Sequence, residues 1–248
     1  MFTNKSLQYS VAAQKRERYK VLRIVFTLLI LFILYNAIHT FLFSVWVIRN
    51  DSMQPGFRAG DRLLVVSSTL PFLFSELRRG EGAVPYGRGS VVLIDKSRAD
   101  TGSEGDRNPF VLFADSFVRF FTAQQVSVFG RGEHLYMKRL VALPGDEISM
   151  VNFVMRVLPA DGAFALTEFE LSNRPYYPTI PQVPALWDMT LPLSGNMESV
   201  RLGPGKCFVM SDDRGSTADS RTWGPVCTRT IIGRPVLRFW PPTRIGFP

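Results

Sequence analysis

Two residues of this chain, Ser52 and Lys138, could together perform acyl-transfer chemistry. A serine hydroxyl is a weak nucleophile unless a neighbouring base takes its proton. Histidine is the usual base, but the chain has only His39 and His134, and His39 lies inside a long apolar segment. A Ser-His-Asp arrangement would therefore depend on His134 alone, whereas a lysine base needs no histidine. The serine and the lysine are the candidate pair.

A lysine can act as a base only when it is neutral, and burial is the means of making it so. With its reference pKa of about 10.4, well under one lysine in a thousand is neutral at pH 7. Lowering the pKa to roughly 7 or 8 requires the ammonium to be disfavoured by about 3 to 5 kcal/mol, which an apolar, desolvated site can supply. Lys138 has Tyr136 and Met137 before it and Leu140 and Val141 after it.

Each of the two residues also has an ordinary structural interpretation. Lys138 on a strand could extend its ammonium to solvent. Ser52 could be a turn or cap serine beside Asp51 and Pro55. The combination with a third segment, residues 211–226, favours a functional site, because its dense mixture of Asp, Ser, Arg and Gly is typical of a hydrogen-bonded loop that supports one.

Short β segments separated by Gly and Pro are predicted to position these residues. The candidate strands are Arg62–Val66, Ser90–Ile94, His134–Val141, Cys207–Met210 and Ile231–Phe239. Many short strands with little helix predict a mainly β protein, with an antiparallel β-sheet or barrel-like domain. Two inserted segments are expected near residues 98–132 and 152–204. Within the first, residues 109–129 could pack in the core or lie on a membrane surface.

An apolar segment at residues 24–48 predicts one transmembrane anchor helix. Its 25 residues carry no formal charge and are dominated by Leu, Ile, Val and Phe, enough to cross a hydrocarbon layer of about 30 Å. The segment is too long for a cleaved signal peptide, and no small-x-small site follows it. The expected organisation is a basic tail at 1–23, the anchor at 24–48 and a folded domain at 49–248.

The positive charge of the chain is concentrated before the anchor. Six of the lysines and arginines and a single acid precede residue 24, so the tail carries +5 of the net +8. This distribution predicts a cytoplasmic tail and an extracytoplasmic domain, with membrane lipid rather than nucleic acid as the partner of the basic residues.

Cys207 and Cys227 would then lie in an oxidising compartment, where they could pair or remain two buried thiols. No Cys/His cluster has the spacing of a zinc site, so no metal is expected.

Taken together, these residues resemble the bacterial type I signal peptidases. The likeness covers four ordered blocks: Ser52–Pro55, Gly60–Val65, Tyr136–Asp146 and Ser211–Val226. Residues 236–241 also look like the closing strand of that family. The resemblance implies Ser52 as nucleophile and Lys138 as general base, without a cofactor. It further implies supporting ion pairs among Arg139, Asp212, Asp219 and Arg221.

Three residues depart from the family pattern. Ser211 stands where the fourth block usually opens with glycine. Thr217 stands where the family commonly has a serine that hydrogen-bonds the lysine, and its hydroxyl is expected to keep that role. Asn50 stands where many members have an oxyanion-stabilising serine. Since an amide can donate a hydrogen bond, Asn50 and the Ser52 backbone N–H are the expected oxyanion hole.

The sequence therefore predicts a single-pass inner-membrane serine endopeptidase that removes signal peptides at small-x-small sites of secretory pre-proteins. Two alternatives remain open. A self-cleaving Ser/Lys peptidase of the SOS-repressor kind shares the pair, but the anchor and the lack of a DNA-binding helix pair argue against it. An anchored, peptide-binding and catalytically silent paralogue is the other.

Overall fold

The computed structural model describes residues 4–41, 43–68, 86–96, 134–182 and 195–247. The chain divides into two compact units, residues 1–42 and 43–248. The expected insertion near 98–132, with the question of lipid contact at 109–129, lies outside the described residues.

The first unit contains helix α1, Asn4–Phe41. We expected the helix to continue to Ile48, but Phe43–Val47 instead forms strand β1. This segment is rich in β-branched and aromatic residues, which favour a strand when an open sheet edge can pair with them. Trp46 of β1 packs against the core, whereas Val45 and Val47 are exposed. Among the described residues, no helix combines the length and apolar character that crossing a membrane requires.

The main sheet of the second unit has seven strands in the order β1-β2-β11-β3-β4-β9-β10. All neighbouring strands in it are antiparallel. The further strands of this sheet are β2 (Arg62–Ser67), β3 (Val91–Asp95), β4 (Leu135–Ala142), β9 (Lys206–Met210), β10 (Val226–Cys227) and β11 (Ile231–Trp240). The five strands expected from the sequence are confirmed.

A second antiparallel sheet of four strands has the order β7-β6-β5-β8. Its members are β5 (Glu147–Val151), β6 (Val154–Leu158), β7 (Leu166–Thr167) and β8 (Met197–Arg201). Three of these strands lie in the segment that we expected to be an insertion at 152–204, so the described part of that segment builds a large share of this sheet. The mainly β, antiparallel class is confirmed, in the form of curled sheets that make a half-barrel.

The two sheets share one hydrophobic cluster, to which β4 and β9 contribute from the first sheet and β5 and β6 from the second. Its members are Val141, Ala142, Ile148, Met150, Met155, Val157, Leu202, Phe208 and Met210. Burial of apolar area at about 25 cal/mol per Å² makes such a cluster the main source of stability. Strand β4 is therefore fixed along its length, from Met137 to Ala142, where every residue is buried.

Little regular helix lies in the described part of the second unit. A short helix α2 spans Ser220–Trp223, and 3-10 turns span Thr228–Thr230 and Pro242–Arg244. Asp219 caps α2 by accepting a hydrogen bond from the Arg221 backbone N–H.

The two cysteines are free thiols on neighbouring strands. Val226 lies opposite Cys207 and Cys227 opposite Lys206, so the two cysteine side chains leave the sheet on opposite faces. Burial raises the pKa of the Cys207 thiol to about 12, which leaves it protonated and unreactive.

Candidate active site

Ser52 lies in a tight turn between β1 and β2. Met53 and Phe57 anchor this turn by inserting into a core cluster beneath it. The Asp51 carboxylate accepts a hydrogen bond from the Ala59 N–H at 2.9 Å. The Ser52 carbonyl accepts another from the Asp213 N–H at 3.0 Å. The serine lies in a loop, but one contact within the turn and one from the distant residue Asp213 hold it in place.

Lys138 lies on β4, and its Nζ atom is 2.9 Å from the Ser52 Oγ atom. Only 1% of Lys138 is exposed. The structure therefore brings together the two residues that the sequence singled out, at hydrogen-bonding distance, although 86 positions separate them. The alternative in which Lys138 extends to solvent does not hold.

Burial lowers the pKa of Lys138 from its ordinary value of 10.5 to about 8. The nearby carboxylate of Asp219 opposes this shift, and the charge of Arg221 adds to it. With a pKa of about 8, about one-tenth of the lysine is neutral at pH 7, several hundred times more than for an exposed lysine. The site can therefore supply an amine base near neutral pH.

Ser211 provides the second hydroxyl on Lys138. The lysine Nζ donates to the Ser211 Oγ at 2.9 Å. We expected Thr217 to make this contact, but Thr217 is exposed, and no hydrogen bond within the described residues joins it to Lys138. Ser211 follows β9 directly, whereas Thr217 lies on the loop before α2, where its carbonyl accepts from the Thr222 hydroxyl. This is a correction to the sequence-based assignment.

Asn50 faces Ser52 with its amide oxygen. The Asn50 Oδ1 accepts from the Ser52 Oγ at 2.8 Å and from the Ser52 backbone N–H at 3.3 Å. Because a backbone N–H can only donate, the atom that faces it must be the oxygen. The expected oxyanion hole is therefore not formed in this structure: one of its donors is occupied and the Asn50 NH2 group is directed elsewhere.

Two bidentate ion pairs flank the lysine. Arg139 donates to both oxygens of Asp212, at 2.6 and 2.5 Å, and also to the carbonyl of Gly89 at 2.6 Å. Arg221 donates to both oxygens of Asp219, at 2.9 and 2.7 Å. The structure thus brings the four expected charged residues together as two pairs. Such forked contacts restrain both partners and fix the backbone that carries them.

A third buried pair was not anticipated from the sequence. Arg214 donates to Glu168 at 2.6 Å, and the Tyr176 hydroxyl donates to the same carboxylate oxygen at 2.6 Å. The Tyr176 ring in turn lies 3.8 Å from the guanidinium of Arg139. Arg214 belongs to the polar loop of residues 211–226, which the sequence singled out. Nothing in the sequence pattern of residues 152–204 indicated Glu168 as its partner.

Gly89 allows the close approach that completes this network. Its φ is +81°, and a Cβ atom there would lie 1.9 Å from the Ser172 Oγ. Any side chain would displace either the backbone carbonyl that Arg139 uses or the segment carrying Tyr176. In the parts of the chain that the structure describes, no three His, Cys, Asp or Glu side chains converge as a metal site would require.

Comparison with known proteins gives matches over most of the chain. The profile of the family described as "Signal peptidase, peptidase S26" matches residues 21–240. "Thylakoidal processing peptidase 1, chloroplastic" of Arabidopsis thaliana is 41% identical over 55 residues, 22% of this chain and 16% of that protein. "Probable signal peptidase I-1" of Synechocystis sp. is 30% identical over 111 residues, 45% of each chain.

A longer match has lower identity. "Signal peptidase I P" of Bacillus subtilis subsp. natto is 24% identical over 233 residues, 94% of this chain and 96% of that protein. By contrast, the chain spans about a sixth of the length of the Arabidopsis relative and under half of the Synechocystis one.

Proposed function

Since the chain belongs to the signal peptidase family, peptidase S26, we propose that it is a serine endopeptidase that removes signal peptides from exported pre-proteins. Ser52 is the nucleophile and neutral Lys138 is the general base. One observation carries this proposal above all: the Lys138 Nζ lies 2.9 Å from the Ser52 Oγ in a site where the lysine is almost fully buried. The reaction uses these side chains and no metal or organic cofactor.

The reaction proceeds in two acyl-transfer steps. In the first, Lys138 takes the Ser52 hydroxyl proton while the Oγ atom attacks the scissile carbonyl carbon. The resulting ammonium donates this proton to the leaving amine as the C–N bond breaks, and an ester remains on Ser52. In the second step, Lys138 deprotonates a water molecule that attacks the ester, and the proton then passes to the Ser52 oxygen.

The resting hydrogen bonds define what must change before the first step. Lys138 donates to Ser52, as an ammonium does, and the Ser52 hydroxyl donates to Asn50. When Lys138 loses its proton it becomes an acceptor. The serine hydroxyl can then turn from Asn50 to the lysine without any movement of the backbone, because both acceptors lie within 3 Å of the Ser52 Oγ.

Peptide substrates bind in an extended form beside the site, with small pockets for alternate side chains. This mode fits cleavage after small-x-small sequences, which end secretory signal peptides.

The apolar part of α1 anchors the protein in the cell membrane, with the basic tail in the cytoplasm and the peptidase outside. Leu28, Leu31 and Leu34 are each more than half exposed, so lipid would cover surface that is unfavourable in water. To test this arrangement, membranes are washed with alkali. The full-length protein should stay in the membrane fraction, and the variant without residues 1–42 should be released.

Cleavage of a signal-peptide substrate tests the proposed function. Detergent-solubilised protein should cut a peptide once, after an Ala-x-Ala sequence, as shown by mass spectrometry of the products. The kcat/KM value should rise about tenfold per pH unit below pH 8 and level off above it, because only neutral Lys138 is competent. A peptide with both alanines replaced by lysine is the control. Binding without cleavage would instead identify a catalytically silent, peptide-binding protein.

Asn50 is proposed to donate to the oxyanion once its amide group has rotated. Rotation would direct the NH2 group towards the site and release the Ser52 N–H, giving two donors. Asn50→Ala should then lower kcat by about 10²- to 10³-fold, the loss expected for one oxyanion donor. If Asn50 only restrains the serine hydroxyl, Asn50→Ala would instead leave kcat unchanged or raise it. Steady-state kinetics on purified variants distinguish the two, with Asn152→Ala, on an exposed turn remote in sequence, as the matched control.

A further inference from the structure

We propose that Ser211 is a positioning residue that directs the lone pair of neutral Lys138 at Ser52. The inference rests on the proposed function. Ser211 is the first residue of the polar loop, where the family that the sequence resembles usually has glycine. The inference also assigns to Ser211 the task that the resemblance implied for Thr217.

The geometry around the lysine nitrogen carries the inference. The Nζ atom is 2.9 Å from two hydroxyl oxygens, those of Ser52 and Ser211. A neutral amine has two N–H bonds and one lone pair. When one N–H is donated to Ser211, rotation about the Cε–Nζ bond is restricted and the lone pair can be held on the Ser52 Oγ. Without that acceptor, the amine would rotate among orientations that do not take the proton.

Strand register places Ser211 opposite the lysine. Arg139 pairs with Met210 in the β4–β9 ladder, so the next pair along the two antiparallel strands is Lys138 with Ser211. The adjoining residues are tied as well, because Arg139 and Asp212 form a bidentate ion pair. The pairing of β4 with β9 therefore places the Ser211 hydroxyl beside the lysine.

The backbone of Ser211 has its own restraint. Its N–H donates to the Asp219 Oδ2 at 2.9 Å, and Asp219 is held in turn by Arg221. Ser211 and Asp219 are both fully buried. A buried acceptor fixed at both its main chain and its side chain can orient a neighbouring amine, whereas the exposed Thr217 hydroxyl has no comparable restraint.

Kinetics of Ser211→Ala test the inference. Loss of a hydrogen bond to an ionisable group predicts a fall in kcat of about 10- to 100-fold. The KM value should stay unchanged, because Ser211 is fully buried and offers no surface to a substrate. The acid limb of the pH profile should also move to lower pH, since the ammonium loses an acceptor and its pKa falls. A residue with only a structural role would not move this limb.

Thr217→Ala is the matched comparison, with kcat expected to change by less than twofold. If Ser211→Ala folds poorly, Ser211→Cys keeps a similar volume with a weaker acceptor and should give an intermediate loss of kcat. The inference is wrong if Ser211→Ala has wild-type kinetics and an unshifted acid limb. It is also wrong if Thr217→Ala loses much of its kcat. Either result leaves the proposed function intact, because that function fails only if the wild-type protein does not cleave the peptide.

Discussion

Replacing Lys138 with methionine should abolish peptide cleavage and at the same time stabilise the folded protein at neutral pH. Loss of the proposed general base predicts a fall in kcat/KM of at least about 10³-fold. The gain in stability has a separate origin. The pKa of Lys138 is about 8 in the folded protein against 10.5 when exposed, so at pH 7 folding must bury a cation that water solvates better. Methionine removes a cost of about 3 kcal/mol.

The pH dependence of this gain has a definite sign. Between pH 8 and 10.5 the unfolded chain binds more protons at Lys138 than the folded one, so wild-type stability rises with pH. The advantage of Lys138→Met should therefore be largest below pH 8 and vanish above about pH 10.5. Denaturant unfolding at pH 7 and pH 10 measures it. Ser52→Ala is the control, because it should lose cleavage without gaining pH-dependent stability. If the methionine variant were less stable than the wild type at pH 7, the claim that burying the Lys138 ammonium destabilises the fold would be wrong.

Of the variants proposed here, Glu168→Ala should lower the free energy of unfolding most. Arg214 and Glu168 are 1% and 2% exposed, and the Tyr176 hydroxyl depends on the same carboxylate. Removing Glu168 would leave a buried guanidinium without its partner, which typically costs about 3 to 5 kcal/mol. The free energy of unfolding, from denaturant titration monitored by tryptophan fluorescence, measures this loss.

Two further variants separate the charge effect from simple truncation. Glu170→Ala removes the same group only two positions away, but from an exposed turn, and should change the free energy of unfolding by less than about 1 kcal/mol. The double variant Glu168→Leu with Arg214→Met removes both charges and should recover much of the loss. A double variant no more stable than Glu168→Ala would show that packing, and not the unpaired charge, dominates.

Much of the fold could be predicted from the sequence, and so could the proximity of Ser52 and Lys138. The strands carrying Lys138 and preceding Ser211 are short, mostly apolar runs that include aromatic residues and valine, a pattern typical of buried strands. Serine and lysine could be singled out because histidine was nearly absent. The end of α1 was missed because the apolar run continues through β1, and only the available edge of β2 turns Phe43–Val47 into a strand.

The finer features of the site depend on three-dimensional register, which no local pattern encodes. Whether Ser211 or Thr217 reaches the lysine is decided by the pairing of β4 with β9. The orientation of the Asn50 amide is decided by the neighbouring Ser52 N–H. The partner of Arg214 lies 46 positions away, in a stretch with several prolines and no distinctive motif. Each of these is a consequence of assembly and not of composition.

The position of β11 in the sheet bears on when Ser52 and Lys138 can come together during synthesis. In the main sheet β11 lies between β2 and β3, whereas the serine turn precedes β2 and the lysine lies beyond β3 on β4. A chain emerging from the ribosome therefore contains both Ser52 and Lys138 well before it contains the strand that bridges their halves of the sheet. We therefore expect the Ser52 and Lys138 side chains to reach their 2.9 Å contact only after β11 has been translated.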